Sequence, residues 1–195
     1  MSSSNPSTRA RILAAAWDLL DSRPGVAARM SDIAKKAGVS RQALYLHFPN
    51  RTELFIAATK AKDAEFHIDA RLAPSRAAKT GRERLAAFVE AWGNYIPDIH
   101  GVAKTLIVLG ETDEDAAHAW AERMADMKEG CAAAVAALAR DGDLRPGLTE
   151  AQATDLLWSL LSVGLWERLV RDCGWTQKAY LDEVQRLARA ALLDG

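Results

Sequence analysis

Between positions 40 and 51 stand Ser40, Arg41, Gln42, Tyr45, His47, Asn50 and Arg51. Their side chains suit non-covalent recognition of a nucleic acid. An arginine guanidinium forks onto the O6 and N7 of guanine, and a glutamine amide pairs with the N6 and N7 of adenine. A serine just before a helix caps it, and the remaining free amides of the first turn face a phosphate. Tyr45 and His47, one turn further on, are within reach of a sugar-phosphate backbone. The Tyr45 ring serves equally well to cap a small core, and a histidine on a short helix is often a packing residue. Asn50 and Arg51 open the next helix, whose positive end favours a further phosphate. Arg9, Arg11, Lys35 and Lys36 add cations nearby, the two lysines reading most simply as solvated charges.

Other chemistries lack their residues. There is no nucleophile with its base, no phosphate-cradling glycine loop, no HExxH and no spaced carboxylate pair, so neither an enzyme nor a cofactor is expected. The run Glu111, Asp113, Glu114, Asp115 with His118 resembles a metal-ligand set in composition only. Acidic side chains at a helix N-terminus explain it better, so no metal site is expected. Cys131 and Cys173 lie far apart without a CxxC, as reduced thiols of a cytoplasmic chain do. The opening MSSSNPSTRAR has no apolar core of a secretory signal, and nothing approaches the ~20 apolar residues of a membrane span.

The elements that must position these residues read as helices. Apolar residues recur at three- and four-residue steps, and no stretch alternates as a strand would. About nine helices are expected, near 8–22, 31–37, 41–47, 51–72, 81–98, 101–109, 113–141, 149–172 and 177–193. Asn50 with Glu53, Thr80 with Glu83 and Thr149 with Gln152 have the spacing of capping boxes. Gly25, Gly38, Gly101, Gly142 and Gly147 fall where periodic stretches stop. The fold class is all-α: a three-helix head over 8–54 after a loose arm over 1–7, and a larger helical body over 55–195.

Charge divides the chain in the same way. Residues 1–62 hold 10 Lys and Arg against 4 Asp and Glu, while residues 63–195 hold 15 against 22. A basic head on an acidic body is the footprint of a DNA-binding module joined to a different function. Within the head, Ala34 is small enough for two short helices to cross, Gly38 suits the tight turn between them, and Leu44 points back into their angle. Ile33, Leu13, Trp17 and Leu20 cover the same core.

This spacing, with the following Tyr-x-His-Phe run, resembles the tetracycline-repressor (TetR) family of bacterial regulators. The resembling residues are Ile33, Ala34, Ala37, Gly38, Val39, Ser40, Leu44, Tyr45, His47, Phe48, Asn50 and Leu54, all within about residues 8–60. The resemblance implies that residues 41–47 read the major groove and that Tyr45, His47 and Arg51 touch the DNA backbone. Lysine is the family's usual residue where this chain has Arg51, which keeps the charge. It also implies a homodimer on a palindromic operator and regulation by a small effector. A repressor released by its effector is expected; an effector-independent regulator or activator is the alternative.

In the body, the stretch LLWSLLSVGLW over 156–166 is apolar nearly all round. Leu161 and Leu165, with Tyr180, Val184, Leu187 and Ala191 on the last helix, either pair with their copies in a four-helix interface or pack within one chain. Phe88, Trp92, Tyr95, Trp120, Met124, Met127 and Trp158 read either as plain core or as the lining of a pocket for an apolar or aromatic small molecule.

Overall fold

A computed structural model describes residues 6–22, 26 and 28–194. Among these residues there is no strand, only an isolated bridge between Leu144 and Leu193. The helices are α1 (Thr8–Ser22), α2 (Met30–Ala37), α3 (Arg41–His47), α4 (Arg51–Glu65), α5 (Ile68–Ala77), α6 (Gly81–Leu109), α7 (Glu114–Asp141), α8 (Glu150–Leu160), α9 (Val163–Trp166) and, after a π-helical turn over Glu167–Asp172, α10 (Gln177–Leu192). Among the described residues no helix is long and apolar enough to cross a membrane. Gly25 and most of the expected N-terminal arm lie outside the described residues.

The chain forms two compact units. The first runs through Phe66 and takes in residues 99–123; the second comprises residues 67–98 and 124–195. The first unit is therefore larger than the head expected from sequence. Its core joins Ile12, Trp17 and Leu20 of α1, Ile33 and Ala34 of α2, Leu44 of α3 and Leu54 and Phe55 of α4 to Val102 and Leu106 of α6 and Ala116 and Ala119 of α7. Gly101, expected to end a helix, instead lies inside α6. A Cβ there would fall 2.1 Å from Asp21 Oδ1 and 3.2 Å from the Asp21 carbonyl. This glycine permits a close approach. The buried Thr105 hydroxyl, one turn on, donates to the Leu20 carbonyl at 2.6 Å.

Two other expected helices are divided. The stretch 51–72 breaks at His67, whose φ of 54° is left-handed and separates α4 from α5. The stretch 149–172 breaks after α8, where Ser162 caps α9 by accepting the Leu165 amide at 3.3 Å. Two of the three expected capping boxes close on the backbone both ways, at Thr80 and Thr149; Asn50 caps the Glu53 amide, but the Glu53 carboxylate accepts in return from the Asn50 side-chain amide. Asn50 and Glu53 exchange hydrogen bonds at 2.8 and 3.0 Å, Thr80 and Glu83 at 3.2 Å each way, and Thr149 and Gln152 at 3.1 and 3.2 Å.

The second unit is built around α10, which buries Tyr180, Val184, Ala188 and Leu192. Beside it, Pro97 sits inside α6. Proline has no N–H to return to the carbonyl one turn back, so the Gly93 carbonyl needs another donor. Gln177 supplies it: its amide nitrogen donates to that carbonyl at 2.9 Å, while its amide oxygen accepts from Trp166 Nε1 at 2.8 Å. On the next residue, Arg71 of α5 donates to the Asn94 carbonyl at 3.1 Å and pairs with Asp98 at 2.7 Å. Side chains from two other helices thus satisfy the backbone around the proline. Further along, Gly81 meets α7 backbone to backbone; a Cβ there would lie 2.6 Å from Leu138 N.

Two substitutions test this packing by urea denaturation. Gln177→Leu leaves the Gly93 carbonyl and the Trp166 indole unpaired and is expected to cost about 1–3 kcal/mol. Gly81→Ala must push α6 from α7 and is expected to cost a similar amount, about 1–3 kcal/mol. Unchanged unfolding midpoints would refute the respective assignments.

Candidate nucleic-acid interface

The turn between α2 and α3 follows from Gly38, whose φ of 65° is left-handed and whose amide closes α2 on the Lys35 carbonyl. Val39 N then donates to the Ala34 carbonyl at 3.0 Å. Ser40 caps α3 as its type and place require, its hydroxyl accepting the Ala43 amide at 3.0 Å. Of the seven residues of α3 only Leu44 is buried. Phe48, immediately after, is also buried, with the Arg9 guanidinium 5.0 Å from its ring centre. Leu44 and Phe48 therefore fix which side of α3 faces inward.

The opposite side is open. Arg41, Gln42, Tyr45 and Leu46 recur at three- and four-residue steps and share one helix face. All four are exposed, and none of them makes a side-chain hydrogen bond or ion pair among the described residues. His47 is exposed at the end of the helix. Asn50 caps α4 and spends its side chain on Glu53. Lys36 pairs with Asp18 at 3.3 Å on the surface.

Arg51 is placed differently from expectation. Its guanidinium donates to Asp113 at 2.7 Å and to Asp115 at 3.0 Å, both at the start of α7. The neighbouring Thr52 hydroxyl donates to the second Asp115 oxygen. A cation already bridging two carboxylates is not a free phosphate contact, so that role is corrected: Arg51 ties α4 to α7. Lys60 with Glu122 and Asp63 with Arg123 continue the tie along the same two helices. The acidic run thus has a structural role, and Asp113 also accepts the Asp115 amide at 3.1 Å as a helix cap does. The Thr52 hydroxyl, and after it Arg51, hold the Asp115 carboxyl below its usual 3.8.

The residues expected to line a pocket divide between the units. Trp120 packs partly buried against the core of the first unit. Phe88, Trp92, Tyr95, Met124, Met127 and Trp158 belong to the second. There Phe88, Trp92, Tyr95 and Met127 are buried, Trp92 and Tyr95 meet edge to face at 5.5 Å, and Phe88 covers Gly130. Trp158 is half-buried with the Lys128 ammonium 5.2 Å from its ring centre. In this unit Trp92 Nε1, the Tyr180 hydroxyl and Gln185 Oε1 are buried without a hydrogen-bond partner. Burial pushes the Cys131 thiol up to about 12, which removes it as a nucleophile.

The residues expected at a dimer interface also divide. Leu161, Tyr180 and Val184 have no exposed surface in a single chain. They are corrected to core of the second unit. Leu165, Leu187 and Ala191 remain half-exposed, Leu156 is 39% exposed, and a Cβ on Gly164 would meet nothing within 4 Å.

A short capped helix, set at a glycine turn against a partner helix and open on one side, defines the class of helix-turn-helix DNA-binding proteins. Residues 12–58 match the model of the bacterial regulatory proteins of the tetR family. The match covers the helix-turn-helix segment, about a quarter of the chain, and marks that segment as similar to the family's DNA-binding part. The chain is 36% identical over 92 residues to the transcriptional activator FasR of Mycolicibacterium smegmatis, covering 45% of this chain and 40% of that protein. The match thus spans less than half of the relative's length. By fold it is similar to the regulator FadR from Bacillus subtilis in complex with stearoyl-CoA, with a TM-score of 0.73 at 20% identity over 93% of this chain and 97% of that one. It is likewise similar to NalD of Pseudomonas aeruginosa, the secondary repressor of a multidrug efflux pump, with a TM-score of 0.68 at 22% identity over 95% and 96%.

The acid side of the stability curve tests the Asp115 tie. A carboxyl with a lowered folded pKa contributes stability above its unfolded value, lost as pH falls through the folded one. Urea melts of the chain and of Asp115→Asn are expected to differ at neutral pH and to converge below pH 3.8. Curves that stay parallel down to the acid transition would exclude the tie.

Proposed function

We propose that this chain is a transcription repressor that binds a palindromic operator as a homodimer and is released by a small, uncharged effector with apolar or aromatic character. The observation that carries the reading is the open face of α3, where Arg41, Gln42 and Tyr45 stand exposed without partners. Buried or paired, these groups would serve the fold. Left free on the basic part of the chain, they suit base edges and phosphates. Ser40 and Asn50 position the helices on either side, and His47 extends the contact toward the backbone. A two-fold dimer doubles the few contacts that one short helix offers. The half-exposed Leu165, Leu187 and Ala191, with exposed Leu156 and open Gly164, supply an apolar face for the partner copy. A cytoplasmic location is part of this proposal, since its DNA target lies there.

The effector reading rests on the second unit. Its interior holds Phe88, Trp92, Tyr95 and Met127 together with the unpaired Trp92 indole N–H and Tyr180 hydroxyl. Unsatisfied buried donors cost about 1–3 kcal/mol each, which an acceptor on a bound molecule would offset. The buried polar residues of this unit are Ser75 and Thr154, neither of them charged. Among the described residues of this unit, a charged ligand group would find no buried counter-ion. The FasR relative's description as an activator favours a second reading, in which DNA binding raises transcription.

Binding of the purified protein to its upstream DNA at several salt concentrations tests the primary claim. Affinity is expected to fall by about 0.9 log units per log unit of salt for each phosphate contacted. Arg41→Ala is expected to lose about 1–3 kcal/mol of specific binding with dimer mass unchanged. A folded dimer with no affinity for DNA would sink the proposal. A thermal-shift screen with neutral hydrophobic compounds decides the effector: a hit that also frees DNA supports the repressor, and a hit that tightens binding supports the activator.

A further inference from the structure

Leu46 is 82% exposed, whereas the other exposed large hydrophobic residues lie between 37% and 52%. It stands on the reading face of α3, one turn beyond Gln42, and makes no part of the core. We infer that Leu46 reads the 5-methyl group of a thymine in double-stranded DNA, an inference that rests on the DNA-binding function proposed above.

Leucine carries no donor or acceptor, so it cannot pair with the N7, O6, N4 or N6 groups of the major groove. The one apolar feature presented there is the thymine C5 methyl. Set against any other base edge, Leu46 would strip water from a polar group and return nothing. The same contact that welcomes thymine therefore rejects cytosine and the purines. Position agrees with this role. One helical turn advances about 5.4 Å, which carries Leu46 to a base pair neighbouring the one Gln42 meets. The surroundings point to a nucleic acid rather than an apolar protein partner. Helix α3 has no acidic residue, and Arg41, Gln42, Tyr45 and His47 around Leu46 are polar or cationic. RNA does not fit, since uracil lacks the methyl and the deep groove of an A-form duplex excludes side chains. At sequence level Leu46 passes for one more apolar residue. Its spacing of two from Leu44 already sets it off the buried stripe.

The test uses the full chain. DNA duplexes bound by it are selected from a random library, and each thymine of the selected sequence is replaced in turn by deoxyuridine. Affinities are measured by fluorescence anisotropy at fixed salt for the unaltered chain, Leu46→Ala and Leu46→Met. One deoxyuridine position per half-site is expected to weaken the unaltered chain about fourfold, the equivalent of about 0.8 kcal/mol for one methyl. Leu46→Met is expected to keep this sensitivity, and Leu46→Ala to lose it while binding the thymine duplex at least fourfold more weakly. Equal losses for the unaltered chain and Leu46→Ala, or no loss at any thymine, would overturn the assignment while leaving DNA binding intact. A folded protein that selects no duplex would overturn the DNA-binding reading and this inference together.

Discussion

The burial of Leu44 is the contact on which the exposed face of α3 depends. A seven-residue helix is too short to persist in water by its own hydrogen bonds. It is held because Leu44 has no exposed surface and Phe48 only 2%. Those two side chains enter a core already closed by α1, α2 and α4. The orientation of everything else on α3 follows. Once Leu44 points inward, Arg41, Gln42, Tyr45 and Leu46 have nowhere to go but outward, and Ser40 is left to cap rather than to pack.

The same economy governs the rest of the first unit. Helix α4 begins two residues after Phe48, so whatever fixes its first turn also fixes the exit of α3. Arg51 and Thr52 grip the two aspartates that open α7, and two more charged pairs follow along the helices. Exposed ion pairs contribute little singly. Here the first is half-buried and bidentate in effect, which gives it direction as well as attraction. Helices α6 and α7 each contribute residues to both units.

Much of this was legible in the residues. The ends of α1 and α3, the turn at Gly38 and the caps at Asn50, Thr80 and Thr149 follow from local chemistry, because a cap or a left-handed glycine is decided within four residues. What local chemistry could not decide lay in contacts distant along the chain. Gly101 was expected to end a helix, yet its lack of a side chain answers to Asp21, eighty residues away. Arg51 looked like a free cation because its partners, Asp113 and Asp115, stand more than sixty positions off. Leu161, Tyr180 and Val184 showed the helical spacing of a buried face correctly, but spacing alone does not say whose surface buries it. His67 gave only a weak signal: histidine is enriched among residues that adopt a left-handed backbone, but one histidine in an otherwise helical stretch does not mark a break.

Pro97 and Gln177 depend on each other through the Gly93 carbonyl. A chain that replaced the proline with an ordinary residue would restore the missing helical hydrogen bond and leave the glutamine amide competing for an occupied carbonyl. A chain that changed the glutamine first would strand the same oxygen beside a proline unable to help it. Each change is tolerable chiefly in the company of the other. Among diverged relatives of this sequence the two positions are therefore expected to vary as a pair, although eighty residues separate them.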